Sequence, residues 1–129
     1  NYASQPPEGC DTVGALATDG SAFAAAASTG GLSIALQGRV SDVALPGGGL
    51  YAGPEGAVAL TGQGDYIGRH VLAYRAYDLL ARGASAEQVT EAVLAVVPAE
   101  IPLGILALTQ AGLSAKSNRP MPWASVRSP

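Results

Sequence analysis

Two short apolar runs, Thr12–Thr18 and residues 22–28, stand on either side of an Asp19-Gly20 pair. Asp-Gly between two such runs is a strong signal for a β-hairpin with a tight turn. Both runs are almost continuous in apolar residues rather than alternating, which fits strands that are covered on both faces. The many alanines make the second run the weaker strand candidate. The sequence therefore predicts a hairpin that opens at Thr12.

The residues before this hairpin differ from it in composition. Residues 1–11 are polar and contain two prolines, which is typical of a linker or leader, and residues 12–129 form one region of domain size. A threonine that is the first residue of a chain can act as a nucleophile, because its own α-amine serves as the general base. Thr12 is not first, so this chemistry requires cleavage between Asp11 and Thr12.

The rest of the chain predicts an α+β fold. Strands are expected at residues 56–60 and 103–109 and from Leu113 onwards, with helices at residues 65–82 and 85–97 between them. Strands grouped apart from helices favour helices packed on one face of an antiparallel sheet. Since no further helices are available for the other face, we expect a partner there, either a sheet on another chain or an upstream segment.

Composition excludes several classes of protein. The net charge is −3 and the 7 basic residues are scattered, which argues against a nucleic-acid partner. One cysteine, Cys10, and one histidine, His70, cannot form an internal disulfide or a His/Cys zinc site. No apolar stretch of membrane-spanning length occurs. Without a signal-peptide pattern we expect a cytoplasmic protein, although a processed precursor that has lost its signal would be periplasmic.

Four segments stand out together, at residues 12–15, 28–31, 38–42 and 61–65. In this order and spacing they resemble the β-subunit of the plant-type asparaginase family, which also holds the isoaspartyl peptidases, glycosylasparaginase and the threonine aspartases. The resemblance runs from Thr12 to about Ala124. It implies an N-terminal-nucleophile hydrolase with an αββα sandwich, in which this chain supplies one helix layer and part of the stacked antiparallel sheets. Such proteins are made as precursors that cut themselves before the nucleophilic threonine.

The resemblance assigns a catalytic role to four residues. Thr12 matches the nucleophile, and Thr29 matches a threonine whose hydroxyl tunes it. Thr61 and Gly62 match the oxyanion hole, in which a hydroxyl and a backbone N–H stabilise developing negative charge. The alternatives are a strand-opening threonine, a strand-end turn residue and a strand-to-helix turn.

Three further residues match the site for the amino-acid head of the substrate. Arg39 would bind the α-carboxylate and Asp42 the α-ammonium, while the backbone of Gly64 contacts the head. The alternative for Arg39 and Asp42 is a local surface ion pair. Asp65 is interpreted first as an acidic residue at a helix N-terminus.

The sequence departs from the family pattern at three places. The turn at Asp19-Gly20 is one residue shorter than in many relatives. Ser41 stands where glycine is usual between the valine and aspartate of the Arg-Val-Gly-Asp motif, which would stiffen or shift that loop. Ile34-Ala35 replaces a polar-basic pair, so a contact toward the substrate or a partner subunit would be lost.

The resulting hypothesis is an amidohydrolase that acts on asparagine or β-aspartyl dipeptides after cleavage between Asp11 and Thr12. Its expected partners are the small-molecule substrate and an α-subunit-like chain or upstream segment, in an αβ dimer. No cofactor takes part in the chemistry; the resemblance allows a structural Na⁺ whose ligands lie mainly outside this segment. The alternatives are a catalytically silent, uncleaved relative that serves as a binding or assembly module, a threonine endopeptidase, and a glycosylasparaginase-like enzyme.

Overall fold

The computed structural model describes residues 11–32 and 35–127. Cys10, Ile34 and the predicted linker up to residue 10 lie outside these residues. In chain order the elements are β1 Thr12–Thr18, β2 Phe23–Thr29, a 3-10 helix Asp42–Ala44, β3 Leu50–Gly53, β4 Gly56–Gly62, α1 Gly64–His70, α2 Leu72–Ala81, α3 Ala86–Val96, β5 Leu103–Leu108 and β6 Leu113–Ser117. The α+β class with antiparallel sheets, predicted from the sequence, is confirmed.

Strands β1 and β2 form the predicted hairpin, with Thr12 opposite Thr29. The Asp19 carboxylate closes its turn by accepting hydrogen bonds from the backbone N–H groups of Ser21 and Ala22, at 2.8 and 2.9 Å. Gly20 supplies the positive φ, 90°, that this turn requires. The backbone N–H groups of this turn are therefore hydrogen-bonded, and the turn fixes the register that pairs Thr12 with Thr29.

The other four strands form an antiparallel sheet in the order β3-β4-β5-β6. Strand β3 was absent from the sequence prediction, because it is only four residues long and lies between a glycine-rich stretch and a turn. Strand β4 begins at Gly56 as predicted but extends to Gly62. The extension matters for the site, since it places Thr61 and Gly62 at the end of a strand.

The two faces of this sheet have different neighbours. Val58, Leu60 and Ile105 point into the main apolar core, which the helices complete. On the opposite face the hairpin packs across β4, closely enough that a Cβ on Gly14 would lie 3.2 Å from that of Ala59. A sheet on another chain or an upstream segment was expected on this face, but over β4 the chain's own hairpin lies there.

The hairpin itself is covered on one face only by the described residues. Exposure alternates along both strands, and the outward-facing Val13 is 68% exposed. The continuous apolar sequence had indicated burial on both faces. Within the described part of this chain that second cover is missing, so the expectation of a partner stays open for the outer face of the hairpin.

The single helix predicted over residues 65–82 is in fact two helices, α1 and α2. They meet at Val71, which adopts a left-handed conformation with φ 50° and ψ 47°. The carbonyls of Gly47 and Gly48 accept hydrogen bonds from Tyr74 and Ala73 at 2.9 and 3.0 Å. These N–H groups are therefore satisfied by a loop rather than by the preceding helical turn.

Helix α3 begins where the sequence predicted. The Ser85 hydroxyl accepts from the N–H of Gln88 at 3.2 Å, and the Gln88 side chain accepts from the N–H of Ser85 at 2.8 Å. This reciprocal pair is a capping box. None of the helices in the described ranges has the length and apolarity needed to cross a bilayer.

Candidate active site

The hairpin brings Thr12 and Thr29 into direct contact. The Thr12 hydroxyl donates a hydrogen bond to the Thr29 hydroxyl oxygen at 3.0 Å. The same oxygen accepts from the backbone N–H of Gly31 at 3.0 Å, and Gly31 has a positive φ of 74°. Thr29 is therefore held by its own turn, and it orients the hydroxyl of Thr12.

The bond between Asp11 and Thr12 is itself anchored on both sides. The N–H of Thr12 donates to the Asp11 carboxylate at 2.8 Å, and the N–H of Gly30 donates to the Asp11 carbonyl oxygen at 3.3 Å. With this peptide bond intact the Thr12 nitrogen is an amide, whose lone pair is delocalised into the carbonyl group. It cannot serve as a general base in this form.

Thr12 opens onto a cleft of about 410 Å³. Thr61 and Gly62, at the end of β4, line the same cleft, because β1 packs across β4 and β5. Met121 and Trp123, from the segment after β6, form part of its lining. The candidate nucleophile and the candidate oxyanion hole, which are 49 positions apart in sequence, thus face one cavity.

Gly62 has a backbone conformation that other residues rarely adopt, with φ 137°. A Cβ at this position would overlap the carbonyl oxygen of Pro102. The next amide, that of Gln63, donates to the same Pro102 oxygen at 3.0 Å. Glycine is therefore required here by backbone packing as well as by any role in binding an oxyanion.

The residues matched to the substrate head line a separate, smaller pocket of about 220 Å³ or lie beside it. Asp42 is only 5% exposed, although it belongs to a short 3-10 helix. The Ser41 hydroxyl donates to its carboxylate at 2.8 Å. A Cβ on Gly64 would overlap both side chains, so this glycine allows Ser41 and Asp42 to pack against the start of α1.

Arg39 pairs with Asp65 rather than with Asp42. Its guanidinium lies 2.7 Å from the Asp65 carboxylate and donates to the Ser41 hydroxyl at 3.3 Å. The alternative interpretation as a local Arg39–Asp42 ion pair is thus wrong. Ser41 instead connects Arg39 to Asp42 through its hydroxyl.

The candidate residues therefore fall into two groups. The large cleft is lined by Thr12, Thr61 and Gly62, and Thr29 is hydrogen-bonded to Thr12. The small pocket is lined by Asp42 and Gly64. Arg39 is hydrogen-bonded to two other residues of that pocket, Ser41 and Asp65. Gly62 and Gly64 are two residues apart, so the two pockets lie on either side of the β4–α1 junction. The sequence did not predict the hydrogen bonds that Arg39 makes to Ser41 and Asp65, nor the one from Gly30 to Asp11. Of these residues, only Ser41 stood out in the sequence as a departure from the expected motif.

Within the described residues no group of three or more His, Cys, Asp and Glu side chains lies together. These residues therefore do not provide a carboxylate cluster for the structural Na⁺ that the resemblance allows. No step of the chemistry considered below depends on such an ion.

Comparison with known proteins places the chain in a family. A family model described as asparaginase matches residues 2–127. The chain is 32% identical over 121 residues to a plant-type L-asparaginase of Pyrococcus horikoshii, covering 90% of this chain and 40% of that protein. It is 37% identical over 125 residues to an isoaspartyl peptidase/L-asparaginase of Xenopus laevis, with 92% and 40% covered.

A third relative is a plant-type L-asparaginase of Thermococcus kodakarensis, 38% identical over 85 residues, which cover 66% of this chain and 28% of that protein. The chain thus spans well under half the length of these relatives. Because the family match extends over nearly all of its residues, this chain belongs to the asparaginase family of hydrolases that includes the plant-type L-asparaginases and isoaspartyl peptidases.

Proposed function

We propose that this chain is the nucleophile-bearing part of a threonine amidohydrolase that acts on asparagine or on β-aspartyl dipeptides. The observation that carries the proposal is the Thr12–Thr29 hydrogen bond at the mouth of a cleft that Thr61 and Gly62 also line, in a chain of the asparaginase family. A hydroxyl oriented by a second hydroxyl and facing candidate oxyanion donors is an arrangement suited to acyl transfer.

The first step is cleavage between Asp11 and Thr12. The Thr12 hydroxyl attacks the Asp11 carbonyl carbon, the C–N bond breaks, and the hydroxyl proton ends on the Thr12 nitrogen. Water then hydrolyses the resulting ester and releases the Asp11 carboxyl group. The step converts the Thr12 amide into a free amine, which is the base that the second step needs.

In the second step the Thr12 amine takes the hydroxyl proton, and Thr12 attacks the side-chain carbonyl of the substrate. Thr61 and Gly62 stabilise the oxyanion. Ammonia or an amine leaves, and water hydrolyses the β-aspartyl enzyme. Asparagine and β-aspartyl dipeptides share the aspartyl head, so the same residues serve both.

The head would bind beside the β4–α1 junction, at Arg39, Asp42 and Gly64. Because Arg39 is already paired with Asp65, an incoming α-carboxylate has to replace that largely exposed partner. The Arg39 side chain is 19% exposed and that of Asp65 is 61% exposed, so solvent screens the pair on the Asp65 side and its loss costs about 1 kcal/mol. A bidentate bond to a substrate carboxylate is stronger than the single contact it replaces.

The proposal includes the assembly. An αββα sandwich needs a helix layer over the outer face of the hairpin, where Val13 is exposed, and an α-subunit-like chain or upstream segment would provide it in an αβ unit. In the described residues the helices pack on one face of the four-stranded sheet, and the two-stranded hairpin packs on its other face.

The test is carried out on the full protein that contains this chain. Intact mass should show cleavage between Asp11 and Thr12, and the cut protein should release ammonia from asparagine or hydrolyse a β-aspartyl dipeptide. Thr12→Val should abolish both, whereas Thr12→Ser, which keeps a hydroxyl, should retain measurable cleavage. A stable, uncut protein without amidase activity would favour the silent relative. Cleavage of α-linked peptides within a folded protein would favour an endopeptidase.

A further inference from the structure

Gly30 holds the carbonyl group at which the proposed cleavage occurs. Its backbone N–H donates to the Asp11 carbonyl oxygen at 3.3 Å. The bond extends the β1–β2 ladder by one pair beyond Thr12 and Thr29, so the hairpin register fixes it. The neighbouring residue, Thr29, accepts the hydrogen bond of the attacking hydroxyl. One turn thus binds both the nucleophile and the oxygen of the group it attacks.

We propose that the Gly30 N–H is the oxyanion donor for cleavage between Asp11 and Thr12; this inference rests on the proposed function. When the Thr12 oxygen bonds to the Asp11 carbonyl carbon, the π electrons move to the carbonyl oxygen, which becomes negatively charged. That oxygen already accepts from Gly30, and the bond strengthens as charge develops. Collapse expels the Thr12 nitrogen, which takes up the proton from the hydroxyl.

The cleavage step and the substrate step then use different donors. Asp11 and Thr12 line the large cleft together with Thr61 and Gly62, but the Asp11 carbonyl oxygen accepts from Gly30, which is not part of that lining. Gly30 lies instead at the open end of the hairpin, bonded along the strand ladder to the residue that is released. After cleavage Asp11 leaves, and the Gly30 N–H is no longer needed for hydrolysis of the substrate.

The chain offers a matched pair of variants to test this. Gly30→Pro removes the N–H, while Gly30→Ala retains it and adds only a Cβ, for which the structure has open space within 4 Å. Gly30 has no positive φ, so neither variant is excluded by that conformation. The preceding residue, Thr29, is in a strand, a conformation that a following proline favours.

The rate of cleavage is measured by intact mass in the full protein. We expect Gly30→Ala to be cut at nearly the rate of the unmodified protein, and Gly30→Pro to be cut about 10²–10³ times more slowly, as for loss of one oxyanion donor. Equal rates for the two variants would overturn the inference. If the unmodified protein is not cut at all, the proposed function itself fails.

A second measurement separates chemistry from folding. Each variant is also produced already cut, with Thr12 as the first residue of its chain and the remainder of the protein supplied as a separate chain. In this form Gly30→Pro should hydrolyse asparagine within a few-fold of Gly30→Ala. Loss of both cleavage and amidase activity in Gly30→Pro would assign Gly30 a structural role and overturn the inference.

Discussion

The hydroxyl of Thr12 donates to the hydroxyl of Thr29, at 3.0 Å, across the open end of a hairpin whose turn lies seven residues further along. Thr29→Val keeps the β-branched shape and removes the acceptor. Since a hydrogen bond contributes about 1 kcal/mol, loss of this orientation should slow both cleavage and amidase turnover by about fivefold. The rates are measured by intact mass and by ammonia release.

Thr29→Ser is the matched control for this prediction, because it keeps the hydroxyl and removes only a methyl group. It should retain most of both rates. If Thr29→Val is as fast as Thr29→Ser, the bond to Thr12 has no part in activating the nucleophile.

The elements that local rules determine were predictable from the sequence. The Asp19-Gly20 pair predicted the hairpin, and Ser85 with Gln88 predicted the start of α3. Both predictions were possible because the hydrogen bonds of turns and helix caps join residues only a few positions apart. The hairpin in turn places Thr12 opposite Thr29. The end of β4 was placed two residues too early, because Gly62 pairs with Leu103, about 40 positions away along the chain.

Features that depend on distant contacts were not predictable in this way. The apolar spacing of residues 65–82 fits one helix, and only the bonds from Gly47 and Gly48 explain the break at Val71. Similarly, Arg39 has a nearby carboxylate at Asp42, but its partner is Asp65, 26 residues away. Asp42 is buried and accepts from the Ser41 hydroxyl, whereas the Asp65 carboxylate lies 2.7 Å from Arg39, and the spacing along the sequence indicates neither contact.

Gly62→Ala should disrupt the end of β4. The left-handed region is unfavourable for alanine, and the new Cβ would overlap the Pro102 carbonyl oxygen, so the backbone has to move. Strain of this type costs about 1–3 kcal/mol, apart from the overlap itself. We expect a lower melting temperature together with loss of amidase activity. Gly83→Ala, also at positive φ but with open space around it, is the control and should cost less. Equal costs would show that the contact with Pro102 is unimportant.

Val71→Gly should stabilise the protein. A β-branched residue in the left-handed conformation is strained, and glycine adopts it freely, which we expect to contribute about 1 kcal/mol after the loss of side-chain contacts. The free energy of unfolding is measured by denaturant titration of the full protein. Val71→Ala retains a Cβ and should show no such gain. A destabilised Val71→Gly variant would mean that packing of this side chain exceeds the strain.

The hairpin turn should respond to acid through Asp19. Hydrogen bonds from the backbone of Ala22 and Ser21, and from the Ser21 hydroxyl, lower the pKa of Asp19 from 3.8 to about 2. A lowered pKa in the folded state means that the carboxylate stabilises the turn above pH 3.8, and that this contribution is lost as the pH falls toward 2. Carbon NMR titration of the Asp19 carboxyl should show a midpoint near the lower value, and Ser21→Ala should raise it. A midpoint of 3.8 in the unmodified protein would contradict the turn geometry.

Arg39→Ala should affect substrate binding far more than stability. Loss of a hydrogen bond to a charged group costs about 1.5–3 kcal/mol, so KM for asparagine should rise by about 10- to 150-fold. The lost ion pair joins a side chain that is 19% exposed to one that is 61% exposed, and a pair that solvent screens on one side contributes about 1 kcal/mol to folding. Steady-state kinetics and thermal unfolding of the cut protein check the two expectations. Arg39→Lys, which keeps the charge without the planar fork, should give an intermediate KM. An unchanged KM in Arg39→Ala would place the amino-acid head of the substrate elsewhere than beside the β4–α1 junction.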